Sequence, residues 1–423
     1  MSRLAVIGAG YVGLTTAVCM AHLGHDVHCT DVSEDRIALL QAGRMPNHEK
    51  GLVELLGQGL ESGRLTFSTD NAEAARTAEF TFLCVQTPQG DDGRADMTYI
   101  ERAAEEIGPH LPEGSIVVSK STVPVGSTHV VERALKRSDV TVASNPEFLR
   151  EGSAVHDFLH PDRIVIGAAD ESTAIKISAL FLRISAPLVV TDPPTAETIK
   201  YVCNAFLATK VSFVNAIAAL CEAVGADVRQ VILGMGYDPR IGSEFLRPGP
   251  GWGGSCFPKD TAALIRIAEN AGYDFGILKG VVAANEDQRA RVVEKTLRLA
   301  GGSLAGKRVA LWGLTFKALT DDLRDSPALD IARLLSEEGG RIQAYDPTVS
   351  KPLDGLEICD DPYAACAGAS VLVLATEWDE FRWLDFTKVR EQMAAPVIVD
   401  ARNLLEPAVL RRLGFAYEGI GVI

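Results

Sequence analysis

Leu4-Ala5-Val6-Ile7-Gly8-Ala9-Gly10-Tyr11-Val12-Gly13-Leu14 decides the reading of the fold. A short apolar run suited to a buried strand enters a glycine-rich turn, and a helical pattern, Gly13–Leu23, follows. The glycines permit a tight turn and close backbone approach to a pyrophosphate, and the helix N-terminus adds amide donors and partial positive charge. Asp31 closes the next candidate strand, Val27–Asp31, where a carboxylate takes ribose hydroxyls and repels a 2′-phosphate. The expected cofactor is NAD, held by Gly8, Gly10, Tyr11, Val12, Gly13 and Asp31. Arg36 lies close enough in sequence to soften the preference over NADP. A turn kept only for helix–sheet packing is the bland alternative, and the strand–turn–helix–strand–Asp context argues against it.

Outward from this stretch the alternation continues. Strands are expected at Phe80–Val85, Ile116–Lys120, Val140–Ser144, Arg163–Ile166 and Leu188–Thr191, with helices such as Ile100–Ile107 and Thr128–Lys136 between them. Such alternation implies a parallel, doubly wound sheet. From Thr195 to about Val224 the strand signal stops, and Ile199, Val202, Cys203, Phe206, Leu207, Lys210, Val211, Val214 and Ile217 keep helical spacing. One long helix is expected to open a helical segment reaching about Leu299, with Gly301–Ser303 as linker. Alternation resumes at Val309–Trp312, Ile342–Tyr345, Val371–Ala375 and Val397–Asp400, where "RVALWGL" takes the place of "LAVIGAG". The expected architecture is α/β: two Rossmann-like doubly wound domains, 1–194 and 301–423, joined by a long central helix and helical segment over 195–300. The second unit keeps only Gly313 in the matching turn, before bulky Leu314-Thr315-Phe316-Lys317, so it is expected to bind something other than a dinucleotide.

Composition agrees. A chain of 423 residues with 47% hydrophobic and 23% charged residues suits two or three globular domains. Forty-one basic against 56 acidic residues give −15, which argues against nucleic-acid or anionic-membrane partners. No apolar run is read as reaching the roughly 18 residues of a spanning helix, and the first strand is too short for a signal-peptide core. Eight cysteines without a C-x-x-C pair suggest neither a disulfide framework nor a zinc site. A soluble cytoplasmic protein with reduced thiols is expected. His156 and His160 stand i, i+4 beside Asp157 and Asp162, but Pro161 ends any helix there and no further ligand follows, so no metal is expected.

Ligands of an open parallel sheet sit beyond the carboxyl ends of its strands. In the first unit those positions hold Gly8, Asp31, Val85-Gln86-Thr87-Pro88, Ser119-Lys120-Ser121-Thr122 and Asn145-Pro146-Glu147. In the second they hold Phe316-Lys317, Asp346-Pro347, Glu377-Trp378 and Arg402, whose cations Lys317 and Arg402 suit a diphosphate. Gly251-Trp252-Gly253-Gly254-Ser255-Cys256-Phe257-Pro258-Lys259-Asp260 reads as a flexible glycine loop before a helix, Thr261–Ala271, with Pro258 in the first helical position. Cys256 thus precedes a helix N-terminus, and with Lys259 nearby its thiolate is favoured. Read alone, a single cysteine is more often a small buried hydrophobe. Lys200 and Asn204 are i, i+4 on one face of the long helix, which by itself suggests a solvated face. Glu147 and Glu151 flank Phe148-Leu149-Arg150, where Glu151 could equally pair with Arg150; Thr122, Pro124 and Gly126 form another strand-end loop.

Together these residues resemble the UDP-glucose/GDP-mannose dehydrogenase family almost end to end. The resemblance is carried by "LAVIGAGYVGL", "KSTVPVGS", "NPEFLREGSAVHDFLHPDRIVIG", "KYVCNAFLATKVSFVNAIAALCEAVGADV", "GPGWGGSCFPKD", "GLTFKALTDDLRDSPALDI" and "ATEWDEF". It implies an N-terminal NAD domain, a long central helix that builds a homodimer, and a C-terminal domain for the sugar nucleotide. It also implies a four-electron oxidation, UDP-glucose to UDP-glucuronate, serving polysaccharide synthesis, with GDP-mannose or a UDP-N-acetylhexosamine as alternative substrate. By this resemblance Cys256 is the nucleophile, Lys200 and Asn204 contact the reacting oxygen, and Asp260 assists as a base. Glu147 serves thioester hydrolysis with Thr122 holding water. Thr87, Thr122, Glu151, Arg36 and Arg324 fall to the cofactor. Glu147, Phe148, Leu149, Lys200, Asn204, Phe245, Leu246, Gly251, Gly253, Lys317 and Arg402 fall to the substrate, with Arg240 reaching into the neighbouring subunit. "MPNHEKGL" departs from an "EPGL"-like segment, and Gln86 in "VQTP" from a small residue or Pro. From the residues alone a two-electron dehydrogenase with Cys256 incidental, and a non-catalytic NAD-sensing scaffold, stay open.

Overall fold

Short apolar runs alternating with helices become parallel strands because helices cover both faces of the sheet. The structure, a computed structural model, describes residues 1–46, 49–88, 90 and 95–422; Asn47 and His48 of the "MPNHEKGL" segment lie outside them. The chain divides into two compact units, Met1–Cys203 with Ala262–Ala271, and Asn204–Thr261 with Gly272–Ile423.

The first unit holds β1 (Arg3–Ile7), β2 (Asp26–Thr30), β3 (Leu65–Ser68), β4 (Phe80–Leu83), β5 (Ile116–Ser119), β6 (Thr141–Ser144), β7 (Ile164–Gly167) and β8 (Leu188–Thr191). Their spatial order is 3-2-1-4-5-6-7-8. Ile7 pairs in parallel with Thr30 of β2 and with Leu83 of β4, so Gly8, Asp31 and Cys84 emerge on one rim. Alternate residues of β1 serve opposite cores, Leu4 and Val6 on one face, Ala5 and Ile7 on the other. One junction departs from the expected parallel sheet: β6 meets β7 antiparallel at Ser144–Gly167.

The second unit holds β9 (Arg308–Trp312), β10 (Arg341–Tyr345), β11 (Leu356–Ile358), β12 (Ala369–Leu374), β13 (Val397–Asp400) and β14 (Ala416–Gly419), all parallel. Their order, 11-10-9-12-13-14, repeats the 3-2-1-4-5-6 order of the first sheet. Here too β9 alternates, Val309 and Leu311 facing one core, Ala310 and Trp312 the other. Strands β3, β11 and β14 carry no sequence signal of the kind used above. Each is a short edge strand with a partly exposed row of side chains, so the continuous apolar run is missing.

The long helix runs Pro193–Val224, and an 18-residue window within it has a mean hydropathy of 1.5 with 33% of its residues buried. By length and composition this helix is sufficient to cross a membrane, which corrects the expectation that no segment reaches that length. Its buried polar residues Glu197, Lys200, Asn204, Ser212 and Asn215 all bond to protein groups, the pattern of a helix laid against a core. Val202, Phe206, Phe213 and Leu220 are at least half exposed and recur at one- and two-turn spacing, forming an apolar stripe.

Candidate active site

The cofactor rim is built by the first turn. Gly8 takes φ +99°, and a Cβ there would lie 2.9 Å from the Cys84 carbonyl oxygen; one on Gly13 would lie 1.8 Å from the Gly8 carbonyl oxygen. At Gly10, the N-cap of helix Tyr11–His22, a Cβ would meet nothing within 4 Å, and no side chain caps the helix. The first and third glycines serve turn and packing, while the second faces open space at a helix N-terminus, as a pyrophosphate requires. Buried Asp31 accepts from the Ala9 amide (2.9 Å), the Ser33 amide (3.0 Å) and Arg36 (3.0 Å). These residues fit a dinucleotide. Gly13→Ala is expected to destabilise by about 1–3 kcal/mol, because the carbonyl it meets belongs to the turn itself. Calorimetric NAD titration and thermal melting check this: NAD affinity should fall about tenfold or more, and parental values for both would contradict it.

Glu49 carries a bracing role that the sequence reading missed. It accepts from the Tyr11 hydroxyl (2.5 Å) and from the Gly152 (2.7 Å) and Ala154 (2.9 Å) amides. Burial, then the Glu49 hydrogen bond, pushes the Tyr11 phenol far above its ordinary range. The only signal was its place in the departing "MPNHEKGL" segment. Thr87 Oγ1 donates to the Thr122 carbonyl (2.8 Å), tying together the loops after β4 and β5. Half-buried Glu151 follows Arg150, whose guanidinium forms a two-pronged pair with Asp157 (2.6 and 3.0 Å).

Beyond β6, Glu147 and Lys200 are buried together, Nζ to Oε1 at 2.8 Å, and the Leu149 amide donates to Oε2 at 2.6 Å. Burial alone would raise the Glu147 pKa, but Lys200, the Leu149 amide and Lys120 outweigh it and hold the carboxyl below its ordinary range. The Phe148 ring lies 5.6 Å from Lys200 Nζ and 3.6 Å from the Arg163 guanidinium. Glu197, one turn before Lys200, was also missed. It accepts from the Gly126 amide (2.5 Å), the Thr128 amide (3.0 Å) and the Thr128 hydroxyl (2.8 Å). Helix Ser127–Leu135 has no side-chain cap of its own, so Glu197 satisfies its first amides.

In the second unit Asp260 is fully buried and accepts from Asn204 Nδ2 (2.5 Å) and Lys259 Nζ (2.6 Å). The Lys259 ammonium, expected near the thiol, is thus engaged by Asp260. The helix begins at Phe257, earlier than expected, with Pro258 second, and runs to Asn270. Cys256 precedes it, partly exposed, with Ser255 Oγ 3.6 Å from its sulfur and its carbonyl accepting from the Asp260 amide (2.9 Å). Burial pushes the Cys19 and Cys84 thiols up to about 12.

The glycine loop is clamped rather than flexible. Trp252 donates its amide to Asn285 Oδ1 (2.7 Å), receives Asn285 Nδ2 on its carbonyl (2.9 Å), and donates its indole to Ser212 (2.9 Å). A Cβ on Gly253 would sit 1.9 Å from the Asp325 carbonyl oxygen, and one on Gly251 2.7 Å from Asn285 Oδ1. The glycines serve close packing. Leu246 is buried beside them, and Phe245, at φ +61°, sets its ring 6.4 Å from Phe257.

At the second rim Asp346 accepts from the Leu314 amide (2.8 Å), the Thr315 amide (3.2 Å) and the Trp378 indole (3.0 Å). The counterpart of Asp31 therefore closes its turn, whose Leu314 and Thr315 are buried. Arg402 donates to the Ala375 (2.8 Å) and Phe316 (2.9 Å) carbonyls and pairs with Glu377 (2.9 Å), while Lys317 Nζ stands 5.5 Å from the Phe316 ring. Arg324 bonds back to Asp322 (2.7 Å) and Arg240 to Asp238 (2.6 Å), each with an exposed side chain. Among the described residues no group of three or more His, Cys, Asp or Glu could hold a metal ion.

Residues 2–185 match the UDP-glucose/GDP-mannose dehydrogenase family NAD binding domain, 194–287 its central domain and 310–407 its UDP binding domain. The chain belongs to the UDP-glucose/GDP-mannose dehydrogenase family, NAD-binding dehydrogenases of Rossmann-type fold. It is 47% identical to a UDP-glucose 6-dehydrogenase of Pseudomonas aeruginosa, over 99% of this chain and 97% of that protein. A UDP-glucose 6-dehydrogenase of Rhizobium meliloti is 45% identical over 99% of each. The structure is similar to that of a UDP-glucose dehydrogenase from Pyrobaculum islandicum, with TM-score 0.92 and 40% identity over 100% of this chain and 98% of that one.

Proposed function

We propose that the chain oxidises UDP-glucose to UDP-glucuronate in two NAD-dependent steps through a covalent Cys256 intermediate. The observation that carries this reading is the end-to-end likeness, at 47% identity, to a UDP-glucose 6-dehydrogenase. A UDP-D-ManNAc dehydrogenase of Pyrococcus horikoshii is only 29% identical, which favours UDP-glucose over an N-acetylhexosamine. NAD, when bound, supplies the acceptor for both hydrides.

Loss of the first hydride leaves an aldehyde, which cannot productively lose another until a nucleophile adds. The Cys256 thiolate adds to that carbonyl carbon as a thiohemiacetal; loss of the second hydride leaves a thioester, and water cleaves it to the carboxylate and the free thiol. Lys200 and Asn204, one turn apart on one helix, meet the negative charge on the former hydroxyl oxygen. Asp260 and Glu147 take protons, Glu147 from the hydrolytic water with Thr122 helping to hold it. Lys317 and Arg402, with the loop of Phe245, Leu246, Gly251 and Gly253, are assigned to the nucleotide sugar, as are Phe148 and Leu149. Thr87, Glu151 and Arg324 belong to the cofactor side.

In this reading residues 1–194 form the NAD domain, 195–300 the dimerisation domain and 301–423 the UDP-sugar domain. The apolar stripe of Val202, Phe206, Phe213 and Leu220 supports a homodimer through the long helix, from which Arg240 reaches the other copy's substrate. Free cysteines throughout suit a cytoplasmic enzyme supplying polysaccharide synthesis. NADH release measured across UDP-glucose, GDP-mannose and UDP-N-acetylhexosamines is the test. Two NADH per UDP-glucose are expected. One per sugar would mark a two-electron dehydrogenase, none a scaffold, and faster turnover of another nucleotide would replace the substrate.

A further inference from the structure

We propose that Lys120 is a positioning residue for thioester hydrolysis, fixing the strand end that carries Glu147 and holding that carboxylate in its charged, proton-accepting form. The inference deepens the proposed function and rests on the hydrolytic role of Glu147.

Lys120 follows β5 and is only 4% exposed. Its Nζ donates to Asn145 Oδ1 at 2.9 Å, and Asn145 Nδ2 donates to the Val165 carbonyl at 2.7 Å. The ends of β5 and β6 are thereby tied to β7 beside the place where the sheet turns antiparallel. Glu147 stands two residues past Asn145, so its position follows from that of the amide. Cementing strands needs no charge, however. A buried ammonium bonded to a neutral amide is costly, and an uncharged donor would join the same strands at less expense. Burial accordingly pushes the Lys120 pKa down, while Glu147 acts to raise it and Lys200 to lower it. The Phe158 ring lies 5.8 Å from Nζ.

The charge has a use at Glu147. Lys200 acts on it from the long helix, Lys120 from β5 and the Leu149 amide from its own loop. Cys84 after β4 and Tyr11 after β1 also feel its charge, Tyr11 together with Glu49 and Glu151; burial keeps that thiol and that phenol protonated. Two cations therefore offset the burial of one carboxylate. A base must be ionised to take a proton from water, so removing one cation should move the acid limb of hydrolysis to higher pH. The oxidation steps, assigned to Cys256, Lys200, Asn204 and Asp260, do not require Glu147 as a base.

Lys120→Gln keeps a donor toward Asn145 and deletes the charge. Lys120→Met also deletes the charge, fills similar space and leaves the Asn145 bond to the Val165 carbonyl in place, so it carries the test should Lys120→Gln fail to fold. Stopped-flow NADH formation and steady-state kcat are measured from acid to alkaline pH in both variants and the parent. Expected are a burst of two NADH per site at the parental rate, then turnover about tenfold slower at acidic pH, with the acid limb about one pH unit higher. The kcat/KM for UDP-glucose should stay near its parental value, with kcat and KM falling together. An unmoved acid limb in folded variants, or a burst slowed as much as steady-state turnover, overturns the role of Lys120. Failure of the parent to yield two NADH per UDP-glucose overturns instead the reading on which it rests.

Discussion

Cys256→Ser is expected to bind NAD and UDP-glucose, melt near the parental temperature, and lose net UDP-glucuronate formation by a factor of about 10³ or more. The fold should survive because the replacement is nearly isosteric and Cys256 meets the rest of the helix start through its carbonyl, which accepts from the Asp260 amide. Chemistry should not survive. A serine hydroxyl holds its proton far more tightly than a thiol, and an alkoxide cannot be generated as readily by a helix N-terminus. The aldehyde would then lack a nucleophile, and NADH release should stop at or below one per site. Titration calorimetry and a single-turnover NADH trace decide the matter; near-normal acid formation would sink the covalent mechanism.

Lys200→Met is expected to have the second large effect, on stability as well as turnover. It strands the Glu147 carboxylate in a site where that residue is only 7% exposed. Breaking a buried pair by removing one partner costs about 3–5 kcal/mol. The pH dependence has a definite sign. Glu147 is held below its ordinary range in the folded chain, so its stabilising contribution is present above the unfolded value of about 4.3. It is lost as pH falls through the folded value. The stability gap between parent and variant should therefore be wide at neutral pH and narrow as the medium is acidified below that range. Urea unfolding at neutral and acidic pH measures it, and an equal gap at both would refute the ion-pair account. Turnover should fall by a further factor of about 10²–10³, since the ammonium is also assigned to the reacting oxygen.

Both predictions turn on residues that short strings of sequence had already singled out. Gly8 and Gly13 announce themselves because a tight turn and a helix–strand contact exclude a side chain within a few residues of chain, and Gly10 because it leaves a helix N-terminus open. Cys256 stands out for the same local reason, ahead of a helix start. The edge strand β3 and its counterparts β11 and β14 do not, since a strand with one partly exposed row lacks an apolar run. The loop of Gly251 to Gly254 misled, because glycine reads as freedom until Asn285 and Asp325 are seen pressed against it.

The chain's own periodicity determined the succession of strands and helices, the repeat of one architecture at both ends and the long helix between. It could do so because periodicity is a property of neighbours along the chain. Tertiary structure decided which charges are buried and what answers them. Glu147 meets Lys200 from 53 residues away, Glu49 meets Gly152 from 103, and Lys120 meets Asn145 from 25. A carboxylate's acidity depends on the water it loses and the cations it gains, and both are set by segments that the sequence leaves far apart.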